Sequence, residues 1–446
     1  MVKILCGVIF FILSPNSLTN SDPIIWSGVG YMVDSGQTSK LYPFSSQIEE
    51  EYDLAKVFRE ELSNDEKIII GGLGNRSFDE GLNSILLAIT SERINSIHRG
   101  KKEGKNLCYR DYLISTQVIL YSSQDKEILK ATPLTKRATY IDDEPSKKCK
   151  TKIPNKDFHK ARVAGLLWGI DITKSQIRNE LLNLGFSQDE PFSDDLKKYL
   201  SNTFTREEIN TNGILGEQIN QIKKIQNINS KGNEPIGVRN VEITDYASNQ
   251  LIGDAEDYSS HGRFASSKIV KDKELKEWIG GEFSKWLSNT LEISIVPYYE
   301  GEGLTLNVGT TFSDSVKALN LKKPELSYGF DYRLRGYHRF KTGETGLRIG
   351  MAYGVFSEAK FGVVFEDELE ELSAISMTET LTKEHNKSDG IDYWLWFDKA
   401  LELNLRNYSV SLVNLDKKWL KDSTEIKSRD FNKQSNEILQ KVGYEK

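Results

Sequence analysis

From Tyr328 to Phe340 one set of alternate positions reads Tyr328, Phe330, Tyr332, Leu334, Gly336, His338 and Phe340, with Asp331, Arg333, Arg335 and Arg339 between them. A period of two sends one set to each face of an extended strand, so this stretch constrains the fold more than any other. Gly343-Glu344-Thr345-Gly346 supplies a turn, and Leu347, Ile349, Met351, Tyr353 and Val355 resume the alternation. Further strands are expected at Lys360 to Phe365, Ile293 to Val296 and Leu304 to Val308, and across Leu401, Leu403, Leu405, Val410 and Leu412. The natural solution is an antiparallel sheet of roughly six strands, because hairpin connections need only short turns. Asp272 to Leu287 reads as a helix whose Leu275, Trp278, Ile279, Phe283, Trp286 and Leu287 would cover that sheet, interrupted at Gly280-Gly281. A transmembrane barrel fits poorly, since the acidic stretch Glu366 to Glu371 and the Lys-rich tail leave too few strands to close one.

The amino-terminal part mixes both kinds of structure. Ser46-x-x-Glu49 is a capping box for a helix carrying Leu54, Ala55, Phe58 and Leu62, and a short strand is expected at Lys67 to Ile70. Ser77-x-x-Glu80 then predicts a helix with Phe78, Leu82, Ile85 and Ile89 on one face. Asp111 to Tyr121 and Glu127 to Thr132 read as strands paired around a turn at Ser122 to Lys126. Helical spacing returns at Ile177, Leu181 and Leu184, and at Leu215, Ile219, Ile222 and Ile225. Asn227 to Asn233 is the best linker.

Residues 1–21 carry an export address. Lys3 precedes an unbroken apolar run, Ile4 to Leu13, too short to cross a bilayer but suited to a secretory leader. Thr19-x-Ser21 supplies a small-x-small cleavage signal, so the mature chain is expected to begin near Asp22. Within 446 residues, 38% hydrophobic and 10% aromatic content suffices for two or three packed domains. The net charge of −6 falls by one more unit when Lys3 leaves, which argues against a nucleic-acid partner. No later apolar run approaches spanning length, so the mature chain is expected to lack a transmembrane helix. Cys6 departs with the leader, and Cys108 and Cys149 are expected to form a disulfide bracketing the β-rich section. In the chain-entropy picture such a loop is worth on the order of 3–4 kcal/mol.

Catalytic signatures are weak. Gly71-Gly72-Leu73-Gly74 matches neither phosphate-binding spacing and reads as a turn. Ser123-x-x-Lys126 followed by Lys341-Thr342-Gly343 has the chain order of penicillin-recognising serine enzymes, yet Ser123 falls in a hairpin turn instead of a helix start. His98, His159, His261, His338 and His385 are scattered, with His338 on the apolar strand face as a core residue, and no metal site or cofactor is expected. Asp142, Asp143, Glu144 and Glu366 to Glu371 read as solvated loop charge. Aromatic side chains are better candidates: Tyr298 and Tyr299, Tyr337 among arginines on the polar strand face, and Trp394 and Trp396 are residue types that grip sugars, peptides or protein surfaces.

The sequence therefore predicts an α+β chain with four parts. These are a signal peptide (1–21), an N-terminal mixed α/β domain (22–160), a helical segment and linker (161–235), and a C-terminal antiparallel β-rich domain with helices (236–446). The expected role is a secreted or cell-envelope binding or assembly module, non-enzymatic, with a protein or glycan partner. Two competing classes stand beside it. An extracellular hydrolase would show two carboxylates converging in one pocket. A secreted membrane-active toxin would show an amphipathic insertion segment.

Overall fold

The computed structural model describes residues 24–32, 38–63, 65, 68–70, 82–102, 105–144, 156–169, 213–225, 235–256, 259–262, 272–301, 303–310, 313–387, 391 and 393–444. The strands are β1 (Ile24–Tyr31), β2 (Ile68–Ile70), β3 (Asn83–Lys102), β4 (Lys105–Ser122), β5 (Ile128–Glu144), β6 (Ile236–Ile243), β7 (Ser259–Gly262), β8 (Gly303–Thr310), β9 (Ser313–Lys322), β10 (Tyr328–Glu344), β11 (Arg348–Phe365) and β12 (Glu368–Asn386). The helices are α1 (Thr38–Leu41), α2 (Ser45–Tyr52), α3 (Leu54–Leu62), α4 (Lys156–Trp168), α5 (Ile214–Ile225), α6 (Asp245–Glu256), α7 (Asp272–Leu291), α8 (Tyr393–Val413), α9 (Lys417–Ser423) and α10 (Ser428–Lys441). The fold is α+β.

The first sheet has eight strands, ordered β5-β4-β3-β1-β8-β9, with β2 pairing on β1 and β7 on β3. Hairpin β4–β5 matches the sequence expectation, Tyr121 standing opposite Ile128 across the Ser122–Lys126 turn. Strand β3 departs from it: Ile85 and Ile89 lie in a strand, not on a helix face. The reason is the run Ile85 to Ile89, apolar at every position, which suits a strand buried on both sides. Ile85, Leu87 and Ile89 pack with α2 to α5, whereas Leu86 and Ala88 join a second cluster with Tyr299, Leu306 and Val308. The helix expected around Ile177 to Leu184 lies outside the described residues.

The second sheet has four strands, ordered β12-β11-β10-β6. It is mixed, since β6 runs parallel to β10 while the other pairs are antiparallel. The expected strand at Ile293 to Val296 reduces to one bridge between Val296 and Gly237. The two expected strands at Leu347 to Val355 and Lys360 to Phe365 are one long strand, β11. Leu401 to Leu412 are helical, because Phe397, Leu401, Leu405, Tyr408 and Leu412 recur at spacings of four and three and bury one stripe against the sheet. Helix α7 lies where expected, with Trp278, Ile279, Phe283 and Leu287 in the same core. Its glycine pair is explained by one member: a Cβ on Gly280 would sit 2.4 Å from the Tyr298 Cβ, so the chain passes the helix too closely for any side chain.

Chain segments do not map onto sheets one to one. Strands β7, β8 and β9 lie beyond residue 235 yet belong to the first sheet. The order through the molecule is helices α2 to α5, first sheet, helices α7 and α8, second sheet. That leaves the far side of the second sheet as its open face, carrying Arg333, Arg335 and Phe356.

Candidate functional site

A β-bulge on β10 decides what the open face displays. Leu334 stands opposite Ser357 and Gly336 opposite Phe356, leaving Arg335 as the extra residue. One extra residue reverses which side chains face which way. Before the bulge Phe330, Tyr332 and Leu334 face the helices; after it Tyr337 does, its ring 5.1 Å from Phe397 and its hydroxyl donating to the Tyr393 carbonyl at 3.3 Å. Arg335 turns its carbonyl to the Thr244 hydroxyl, 2.8 Å away, and Thr244 also holds the start of α6 through the Ala247 amide.

Two expectations therefore exchange places. Tyr337 is core instead of polar face, and His338 lies half-buried on the open face instead of in the core. His338 accompanies Tyr246 of α6, ring centroids 5.3 Å apart and hydroxyl to Nε2 2.9 Å, and Phe356 of β11, centroids 5.3 Å apart. Tyr246 is 49% exposed, Phe356 36% and Phe340 54%. Gly336 gives the strip its floor: the Tyr246 ring lies 3.3 Å from where a Cβ would be. Across β11 the partner residues on β12 are Thr378 opposite Phe356, Thr380 opposite Gly354 and Thr382 opposite Ala352, all on the same face. Three of the basic side chains around this strip are paired with acids, Arg333 with Glu242 at 3.0 Å, Lys360 with Glu371 at 2.8 Å, and Arg239 with Asp331, while Arg335 meets the Ser376 hydroxyl at 3.4 Å. The strip is an aromatic and hydroxyl surface with little net charge.

Three of the other aromatic candidates are not displayed. Tyr298, Tyr299 and Trp396 are buried, Tyr299 donating to Gln117 Oε1 at 2.6 Å and Trp396 stacking on Tyr353 at 5.6 Å. Large rings in a helix-covered sheet face fill core, which is why exposure cannot be read from residue type alone. Trp394 lies in α8, its side chain outside the described residues. Tyr246 and Phe356 carried a signal the sequence reading passed over: Gly336 and Gly354 within strands mark places where a ring lies across the backbone.

A second constellation lies between the first sheet and helices α7 and α8. Asp398 of α8 is buried and pairs with Arg93 of β3 and Arg137 of β5. Arg137 also meets Asp111 at 3.3 Å and Glu402 at 3.7 Å, and Glu282 of α7 pairs with Lys285 and accepts from the Thr135 hydroxyl at 2.6 Å. Burial raises the Asp111 carboxyl, although Arg137 and Arg93 pull it back. For Arg137, burial works toward neutrality but Asp398 and Asp111 outweigh it and hold the guanidinium charged. Burial likewise acts to raise Glu282, yet Lys285 carries it below the usual range; Glu402 is raised by burial. Two small adjoining clefts open here, sharing Thr135, Trp278 and Glu282 in their walls.

Among the described residues the remaining candidates form no catalytic pair, and Gly71 to Gly74 lie outside the described residues. Lys126 Nζ donates to the Ser123 carbonyl at 2.7 Å within the hairpin turn, so no serine–lysine pair forms. Glu366 and Asp367 take positive φ in the exposed turn between β11 and β12. Among the described residues no group of three His, Cys, Asp or Glu is placed to hold a metal ion. Cys108 is buried on β4 opposite Asp142, and Cys149 lies outside the described residues. No described helix is long and apolar enough to cross a membrane.

No family model and no curated protein matches the chain. Among solved structures it is similar to a putative neuraminyllactose-binding hemagglutinin homolog from Helicobacter pylori. The identity is 12% and the TM-score 0.19, over 36% of this chain and 90% of that one. A likeness so shallow fixes neither fold nor ligand.

Proposed function

We propose that the chain is an exported, non-enzymatic binding module that engages a neutral glycan across the open face of the second sheet. The observation that supports this reading is the exposed strip of Tyr246, His338, Phe356 and Phe340 beside the threonines of β12. Aromatic faces stack on the apolar C–H faces of sugar rings, hydroxyls meet hydroxyls, and the pairing of Arg333, Lys360 and Arg239 with acids favours a neutral chain over a polyanion. The strip is shallow, which suits an extended chain more than a buried small molecule.

The test is direct binding of the purified chain to an immobilised panel of neutral and acidic polysaccharides. We expect at least one neutral polysaccharide to bind, with affinity lost about tenfold or more in the Tyr246→Ala/Phe356→Ala double variant while the melting temperature is held. Binding that is indifferent to both substitutions, or no binding across the panel, overturns the reading. The hydrolase alternative has one observation in its favour, the convergence of Glu282, Asp398 and Glu402 on one cleft. Against it, Asp398 and Glu282 are already held by buried cations, whereas acid–base work needs a carboxylate free to exchange its proton. Release of reducing ends from the same panel, abolished by Glu402→Gln, would decide for the hydrolase.

Export and a Cys108–Cys149 bridge belong to the same proposal. The end of β5 brings the chain within five residues of Cys149 while Asp142 stands opposite Cys108. In a secreting host the intact mass should correspond to a chain starting near Asp22, lighter by two hydrogens than after reduction. A cell-retained chain that keeps residues 1–21 and alkylates at both cysteines without reductant contradicts it.

A further inference from the structure

The second sheet closes one of its edges and leaves the other open. Along β6 the passing chain is hydrogen-bonded, the Val296 amide to the Ile236 carbonyl at 2.9 Å and the Val238 amide to the Val296 carbonyl at 2.8 Å. On the opposite edge, β12, the bridge among the described residues joins Met377 to Thr424, just past α9. Beyond it β12 runs on through Thr380, Leu381, Thr382, Lys383 and Glu384, without proline and in unbroken register with β11. Thr380, Thr382, Lys383 and Glu384 are exposed. The ladder fixes which way their backbone groups point. The Lys387 amide donates to the Leu347 carbonyl at 2.9 Å, while Arg348 exchanges its main-chain hydrogen bonds with Thr345. Successive residues of an antiparallel strand turn these groups to opposite sides. Counting back from Lys387, Lys383 and Leu381 bond to β11, and Thr380, Thr382 and Glu384 turn N–H and C=O outward. Such a row is a template for another strand unless charge or a bulge blunts it. Neither does so here, since Lys383 lies 5.8 Å over the Trp396 ring and Glu384 reaches back to Arg348 of β11 at 2.9 Å.

We propose that this edge pairs with the same edge of a second copy of the chain, antiparallel about a two-fold axis through Thr382. Thr382 then stands opposite the partner's Thr382, and Thr380 opposite the partner's Glu384. Each opposed pair of outward residues exchanges two main-chain hydrogen bonds. The side chains are self-complementary in this register. Two threonines meet on the axis, Leu381 covers the stem of the partner's Lys383, and Glu379 stands diagonal to the same lysine, within reach of a long side chain. The neighbouring two-fold registers are worse. An axis through Lys383 sets two lysines directly opposite, and an axis through Leu381 drives the end of β12 into the place where Thr424 already pairs with Met377. A perpendicular two-fold keeps both open faces on one side, so the threonine rows of the two copies adjoin and their aromatic strips share one surface. That an extended glycan crosses both strips rests on the reading above; the pairing itself does not.

Sedimentation velocity of the full chain from about 1 to 200 μM tests this, the range suited to a small, reversible interface. The mass should rise with concentration toward that of two chains. Thr382→Pro removes an outward N–H that β11 does not use, and an edge strand accepts proline there. The variant should keep the melting temperature of the wild type and raise the dimer dissociation constant about tenfold or more. Thr382→Cys should link two copies under mild oxidation, because opposed Cα atoms in such a pair lie about 5.5 Å apart, within disulfide reach. Thr378→Cys, on the same face but about 27 Å from its counterpart in this register, should not. Tyr246→Ala/Phe356→Ala should dimerise as the wild type does, so that loss of glycan binding and loss of pairing are read separately. A single-chain mass across the whole range overturns the proposal and leaves the edge to a strand of another protein. A dimer that survives in folded Thr382→Pro, or equal cross-linking at Thr378 and Thr382, overturns it as well.

Discussion

Replacing Asp398 with Asn is expected to cost roughly 3–5 kcal/mol of stability, the usual penalty for stranding a buried charge. Asp398 pairs with both Arg93 and Arg137, and Arg93 is fully buried beneath α8. An amide of the same shape keeps the packing and removes the counter-charge. Arg137 retains Asp111 at 3.3 Å, and Arg93 lies 5.4 Å over the Trp278 ring. The pair Arg93→Met with Asp398→Leu should recover more than half of the loss, because apolar residues of similar volume replace a buried ion pair at little cost. Denaturant midpoints of the wild type, the single and the double variant measure this. If Asp398→Asn shifts the midpoint by no more than a surface substitution would, the cluster does not join the layers.

That network was invisible in the sequence because its members come from β3, β4, β5, α7 and α8, and no local spacing connects Arg93 to Asp398. Patterns held where they were long and faced one environment. The β10–β11 hairpin, the β4–β5 hairpin, the α7 stripe and the apolar stripe of α5 were all legible on that ground. Two misreadings share one cause. Ile85 to Ile89 and Leu401 to Leu412 are apolar at several periods at once, so the phase counted first decided the assignment, and tertiary burial decided the structure. The reading of the open face failed by a single residue. Alternation through Arg335 is interrupted by the bulge, so the residues from Gly336 to Lys341, where a second bulge follows, change side, exchanging Tyr337 for His338. Gly336 next to an arginine was the available sign. Tyr246 belongs to a helix distant in sequence, brought onto the strip by the pairing of β6 with β10 and the Thr244 contact with Arg335.

Glu92 provides the second large effect, with a sign opposite to that of ordinary surface carboxylates. It is fully buried on β3 and accepts hydrogen bonds from the Ser45 amide at 2.7 Å, the Phe44 amide at 3.1 Å and the Ser45 hydroxyl, at the open end of α2. First-turn amides have no partner within their own helix, so this carboxyl from another element caps them. Burial pushes its pKa up to about 7 from 4.5, although the Ser45 and Phe44 hydrogen bonds act to lower it. A raised carboxyl binds its proton more tightly in the folded chain. Its contribution is therefore full below about pH 4.5 and lost as pH rises through 7, a swing on the order of 3 kcal/mol across that window. Glu49, raised by burial to about 8, acts in the same direction. Glu92→Ala should cost roughly 3–5 kcal/mol at pH 5, through the emptied space and the two stranded amides. Glu92→Gln, which keeps one acceptor, should lose less and should be flatter between pH 5 and 8 than the wild type. Denaturant midpoints for the three proteins at pH 5, 6.5 and 8 check both statements. If the difference between wild type and Glu92→Gln is constant across that range, Glu92 does not titrate there and its cap is carried by the ionised form throughout.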